Sequence, residues 1–216
     1  MRALIQILDY GSGNLFSVKD SISRAAPDLE IKTSSEYVSG QPDGLVLPGV
    51  GSFSSAQRIL RKVKPDIKRD AERSGMPVLG ICLGMQLMFQ KSEEGPGGGL
   101  SFFNGEVVRF SPEPGVKVPH MGWNTFEISV NSKEKSILCS DLSGMKQWAY
   151  FVHSFYPKSG NDDAVVACTI YGSQMFPSII ERQNIFGTQF HPEKSSATGF
   201  KLIENFVKCV SQYSRR

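Results

Sequence analysis

Three short apolar runs in the first half of the chain each close on a glycine-bearing turn and pass into a helical pattern. Ala3–Leu8 runs into Asp9-Tyr10-Gly11-Ser12-Gly13-Asn14. Leu15, Val18, Ile22 and Ala25 then recur at helical spacing, with Pro27 just beyond. Gly44–Leu47 runs into Pro48-Gly49-Val50-Gly51, followed by Phe53, Ala56, Ile59, Leu60 and Val63; this helix is expected to stop near Pro65, with Asp66–Arg73 as a further short helix. Val78–Ile81 runs into Cys82, and Met85, Gln86, Leu87 and Met88 then favour a helix. Glu30–Thr33 adds a short strand. Alternation of strand and helix predicts an α/β fold: a mostly parallel sheet with helices on both faces. Ligands of such sheets sit at the carboxyl ends of the strands, which is where all three turns fall.

The third turn reads Gly80-Ile81-Cys82-Leu83-Gly84. A strand, a sharp turn and a helix would lift Cys82 to the apex, the layout of a nucleophile elbow with a thiol in place of a hydroxyl. A backbone bent that tightly leaves little room for Cβ atoms on either side, which accounts for the two glycines. Taken alone the motif fits a buried core thiol equally well. A nucleophile would need a base, an orienting group and donors for an oxyanion.

After Gln90 the pattern changes. Glu93–Gly99 is a glycine-rich loop that composition alone reads as a flexible linker. Short strands are expected at Glu106–Phe110, Thr125–Val130, Gln147–Val152, Ala164–Ile170, Ser178–Arg182 and Ile185–Gln189, largely antiparallel and extending the first sheet. A last helix from about Thr198 to Tyr213 carries Phe200, Ile203, Val207 and Val210 on one face, and the tail Ser214–Arg216 is expected to fray. The 216 residues are read as a single domain, 1–216. A net charge of +3 is too mild to argue for nucleic acid or a membrane surface. No long apolar span and no signal-peptide layout occur, and the four cysteines (82, 139, 168 and 209) show no CxxC spacing, so the expectation is a cytoplasmic protein with neither a zinc site nor a disulfide framework.

Of the three histidines, His191 leaves a predicted strand end within Phe190-His191-Pro192-Glu193. A neighbouring imidazole activates a thiol, and a carboxylate two residues on can bend back to hold that imidazole. His153, among aromatic residues, suits packing or substrate lining better than base chemistry. His120 is placed in a loop. The Leu83 N–H, just after the nucleophile, points towards a developing oxyanion, and Gly49-Val50-Gly51 can present a second N–H from a peptide free to flip.

Gly80–Gln86 together with His191-Pro192-Glu193 resembles the class I (triad) glutamine amidotransferases, whose fold is flavodoxin-like. The stretches Asp9–Leu15, Leu47–Gly51, Pro119-His120-Met121-Gly122-Trp123-Asn124 and Phe190–Ser195 are similar to the glutaminase subunits that serve imidazole glycerol phosphate synthases. The resemblance implies Cys82 as nucleophile, His191 as proton relay and Glu193 as its orienter. It implies an oxyanion hole from Leu83, Val50 and Gly51, and glutamine contacts from Gly49, Gln86, Glu94, His153, Ser154 and Phe155. It also implies no cofactor and no metal. The implied partner is a (β/α)8 cyclase subunit, met through Asn14, Trp123, Asn124, Tyr150 and Lys194. Ammonia would pass through a channel to that cyclase, which makes imidazole glycerol phosphate and aminoimidazole carboxamide ribotide in histidine biosynthesis. Three alternatives are weighed on the residues alone: a glutaminase supplying another synthase, such as one that aminates a sugar; a binding or regulatory subunit without catalysis, against which the intact Cys82, His191 and Glu193 set argues; and a redox-sensing or hydrolytic cysteine protein, which Gln86 and Glu193 fit poorly.

Overall fold

The computed structural model describes residues 2–11, 14–160 and 162–214. Ser12 and Gly13 of the first predicted turn, and Arg215 and Arg216 of the predicted frayed tail, lie outside the described residues. The apolar runs form Leu4–Leu8 (β1), Glu30–Ser34 (β2), Gly44–Leu47 (β3) and Val78–Ile81 (β4). The second half adds Lys91–Ser92 (β5), Gly105–Arg109 (β6), His120–Ile128 (β7), Lys146–His153 (β8), Phe155–Ser159 (β9), Val165–Tyr171 (β10), Gln174–Arg182 (β11) and Ile185–Thr188 (β12). The helices are Leu15–Ala25 (α1), Phe53–Arg73 (α2), Leu83–Gln86 (α3), Val130–Lys133 (α4) and Ser196–Tyr213 (α5).

Among the described residues nine strands form one sheet in the order β2-β1-β3-β4-β12-β11-β10-β7-β8. Pairs from β2 to β12 are parallel, and pairs from β12 to β8 are antiparallel. Every residue of β3, β4 and β12 is buried, as expected of strands covered on both faces. Side chains alternate across the sheet. Val46, Leu79 and Ile81 pack in one core with Val18, Ile22, Leu202, Ile203 and Phe206 from α1 and α5. Leu45, Leu47 and Val78 pack in the other with Ala56, Leu60, Val63 and Ile67 from α2. A separate three-stranded sheet, β5-β6-β9, flanks the site.

Several expectations change. α2 runs unbroken through Pro65. Val63 and Ile67 are buried on either side of Pro65, which is itself exposed, as is Arg61 four residues before it. Burial of the apolar stripe outweighs the roughly 3 kcal/mol helix penalty of an internal proline, whose orphaned carbonyl lies on the wet side. The helix after Cys82 is a single turn, α3, because the chain must swing on to bury Leu87, Met88 and Phe89. His120 is not in a loop but opens β7, buried. β11 begins earlier, at Gln174, and takes in Pro177, which pairs with Cys168 beside an irregularity in the β10–β11 register. On α5 the buried stripe is Leu202, Ile203, Phe206, Val207 and Val210; Phe200 is half-buried beneath the Arg24 guanidinium, 5.1 Å from its ring centroid. After the Glu93–Gly99 loop, Leu100, Phe102 and Phe103 return at once to the core.

Candidate active site

β3, β4 and β12 are consecutive in the sheet and parallel, so their carboxyl ends share one edge. Ile81 lies opposite Thr188, and the Cys82 N–H donates to the Thr188 carbonyl at 2.7 Å. Cys82 adopts φ 46° and ψ −102°, a strained conformation at the apex between strand and helix. The flanking glycines are required by space. A Cβ on Gly80 would lie 2.6 Å from the Gly84 carbonyl, and one on Gly84 would lie 2.0 Å from the Leu47 carbonyl oxygen. A Cβ on Gly49 would meet the His191 ring at 2.8 Å, so the Pro48–Gly51 turn and the imidazole pack directly.

His191 follows β12. Its Nδ1 donates to Glu193 Oε1 at 2.8 Å, with both side chains buried. That bond leaves Nε2 for Cys82. Burial alone would lower the His191 pKa, but the hydrogen bond and charge of Cys82, then those of Glu193, raise it to about 10. The turn is braced: Ser195 Oγ donates to the His191 carbonyl and accepts from the Tyr150 N–H, while the His191 N–H donates to the Tyr150 carbonyl. Asn14 Nδ2 lies 3.4 Å from Glu193 Oε1. Glu193 Oε2 is buried with no hydrogen-bond partner among the described residues.

A cleft of about 280 Å³ opens at this edge. Gly49, Val50, Gly51, Cys82, Leu83, Gln86, Glu94, His153, Ser154, Phe155 and His191 line it, so the structure brings together the nucleophile, base, oxyanion and glutamine positions expected from sequence. Gln86 Nε2 donates to the Phe155 carbonyl at 2.9 Å and to Gln189 Oε1 at 3.3 Å. Both amide hydrogens are therefore committed, and the group Gln86 can offer a bound molecule is its Oε1. Glu94 accepts from the Phe53 N–H at the start of α2; burial raises its pKa and that bond partly offsets the rise.

His153 and His120 form a buried pair with a fixed direction. His153 Nδ1 faces the Phe155 carbonyl at 2.8 Å and must donate to it. Its Nε2 then accepts from His120 Nδ1 at 3.1 Å, and His120 Nε2 accepts from Asn124. His120 is also stacked between Phe151 and Tyr171. Burial lowers the pKa of His120 to about 4, and burial together with the His120 and His191 charges lowers that of His153 to about 3 despite its bond to Phe155. Both folded-state values lie below the unfolded value near 6.5. The stability this neutral pair contributes is thus present above pH 6.5 and lost as pH falls towards 4 and 3. From His153 alone the loss by about pH 4.5 is expected to be on the order of 2 kcal/mol. Urea unfolding of wild type and of the His120→Asn/His153→Asn double variant at neutral and acid pH checks this: the variant should show the smaller acid loss.

Of the expected partner-facing residues, Trp123 is about half exposed and meets Tyr150 edge-on across the β7–β8 pair. Lys194 Nζ lies 5.9 Å from the Tyr150 ring centroid. These three sit beside the His191 turn, and Asn14 touches Glu193 within it. Asn124 differs: its side chain turns inward to His120 and the Ile170 carbonyl. Three site residues are given no role by the sequence, although Tyr10 and Ser195 lie within the stretches that carry the resemblance. Gln189 touches Cys82, Ser195 braces the His191 turn, and the Tyr10 hydroxyl donates to the Pro48 carbonyl at the base of the Pro48–Gly51 turn. Tyr10 is buried beside Cys82, and burial, then the charges of Cys82 and Asp9, hold its pKa well above the usual phenol value.

A thiol on a strained elbow, a buried carboxylate-held imidazole and a small lined cleft are the parts of an amide-cleaving cysteine enzyme. Residues 6–209 match the family described as Glutamine amidotransferase class-I, and the chain belongs to that family. The chain is 42% identical over 218 residues to the imidazole glycerol phosphate synthase subunit HisH of Geobacillus thermodenitrificans, covering 96% of this chain and 97% of the relative. It is 42% identical to the HisH subunit of Nostoc punctiforme, covering 97% of each. Within the class its branch is thus that of the HisH subunits. The fold is shared with solved structures of lower identity. PurLQS from Thermotoga maritima aligns with TM-score 0.76 at 18% identity, covering 97% of this chain and 99% of that one. A putative GMP synthase protein from Thermoplasma acidophilum aligns with TM-score 0.73 at 20% identity, covering 100% and 97%. Among the described residues no helix is long and apolar enough to cross a membrane.

Proposed function

We propose that this chain is one glutamine amidotransferase domain acting as the glutaminase of an imidazole glycerol phosphate synthase, with Cys82, His191 and Glu193 as its triad. The observation that carries the reading is the adjacency of β3, β4 and β12, which puts the Pro48–Gly51 turn, the Cys82 thiol and the His191 imidazole on one edge. Cys82 Sγ attacks the side-chain amide carbon of glutamine, and the carbonyl electron pair moves onto oxygen. The Leu83 N–H and a peptide N–H at Val50 or Gly51 stabilise that oxyanion. His191 delivers its proton to the amide nitrogen, which leaves as ammonia as the thioester forms. Water then attacks the thioester while His191 takes its proton, and glutamate departs with the thiolate restored. Glu193 keeps the ring oriented through both steps. Gln86 Oε1, Glu94 and the Ser154 region hold the amino-acid end of the substrate.

Ammonia released into neutral water is protonated and loses its nucleophilic lone pair, so a direct passage to an acceptor site protects it. We place that site on a (β/α)8 cyclase subunit docked where Asn14, Trp123, Tyr150 and Lys194 cluster. The complex belongs in the cytoplasm, where the cysteines, which form no disulfide among the described residues, stay reduced. The test is glutamate release by the chain alone, with the cyclase, and with the cyclase plus its ribulosyl phosphate substrate. Completion of the oxyanion hole on assembly predicts at least about 10²-fold stimulation in the last case. Equal rates in all three would overturn the gated reading. Stimulation by a different synthase and none by the cyclase would move the chain to another pathway.

A further inference from the structure

Gln189 is fully buried, follows β12 directly and lies two residues before His191. Its Nε2 is 3.5 Å from Cys82 Sγ. Chemistry fixes which end of the amide faces the sulfur. The Phe155 carbonyl can only accept, so Gln86 must present its NH2 there, and the same NH2 reaches Gln189 Oε1. A flipped Gln189 would set NH2 against NH2 on one side and oxygen against sulfur on the other. The Val152 carbonyl also lies 3.8 Å from Sγ. That oxygen can accept from a thiol but repels a thiolate, whereas the Gln189 N–H strengthens as the sulfur ionises.

We propose that Gln189 is a positioning residue for the nucleophile: its carboxamide N–H holds the Cys82 thiolate in place, and its own orientation is set by Gln86 in the substrate cleft. The proposal rests on the reading of Cys82 as the nucleophile. It ties the floor of the cleft to the reacting atom through two side-chain amides and the Phe155 carbonyl.

The test is the pH dependence of iodoacetamide alkylation of the isolated chain, read cysteine by cysteine by peptide mass spectrometry. The variants are Gln189→Leu, which removes the donor, and Gln189→Glu, which keeps shape and replaces the donor with oxygen. Both should move the Cys82 profile to higher pH and slow its alkylation near neutral pH by about tenfold or more. Profiles that match wild type in either folded variant would overturn the proposal and leave Gln189 as packing. Should neither variant fold, Gln86→Met decides, since it releases the Gln189 amide without touching the sulfur: a shift in the same direction supports the proposal, and an unmoved profile overturns it. Wild-type Cys82 reacting no faster than Cys168 or Cys209 would instead sink the nucleophile reading itself.

Discussion

Cys82→Ala is expected to lower glutamine hydrolysis by at least about 10⁴-fold, while the assembled synthase still makes product from added ammonium salts. The sulfur is the atom acylated in the proposed mechanism, and alanine removes it from the cleft. The folded frame does not depend on it. The Cys82 N–H bond to Thr188 and the Gln86 N–H bond to the Cys82 carbonyl are backbone contacts that alanine keeps. Alanine also carries a Cβ at the same strained φ and ψ, so the elbow is preserved. The measurement is product formation by the complex with glutamine or with ammonium as nitrogen source. Retained glutamine-dependent turnover would exclude a Cys82 thioester.

Glu193→Gln comes next in expected effect, with a loss of roughly 10²–10⁴-fold in kcat/KM for glutamate release. The amide can still accept from His191 Nδ1, so the ring is not set adrift. What goes is the carboxylate charge, one of the causes that raise the His191 pKa to about 10. The sign follows directly. His191 must be protonated to deliver a proton to the departing nitrogen, and a lower pKa empties that form as pH rises. The variant should therefore lose activity with rising pH earlier than wild type, between about pH 7 and 9. A uniform loss with an unmoved pH profile would assign Glu193 a packing role only.

Much of this candidate site is legible in the sequence. β3 and β4 announce themselves as short all-apolar runs, because strands covered on both faces have no polar alternation to show. Gly80 and Gly84 mark the elbow because close backbone approach excludes a Cβ, as the 2.0 Å distance to Leu47 shows. The adjacency of β4 and β12 was less accessible. It depends on a long excursion through the antiparallel half and on the hairpin between β11 and β12, which local pattern does not encode. One proline misleads. Pro65 reads as a helix stop, yet burial on both sides carries α2 through it. β9 has no expected counterpart in the sequence; it holds Pro157, which an edge strand of the small sheet tolerates. Gln189 was invisible for another reason. A buried amide has no spacing signature, and its role appears only when Phe155, Gln86 and Cys82 are brought together around it.

Labelling with a glutamine-mimicking chloroketone tests the central assignment most directly. The reagent binds as glutamine does and alkylates the group that attacks the side-chain carbonyl. Peptide mass spectrometry of the inactivated complex is predicted to find the adduct on Cys82, with glutamate release lost in proportion to labelling and glutamine slowing both. An adduct on Cys139, Cys168 or Cys209 that tracks the loss of activity while Cys82 stays unmodified would contradict the account.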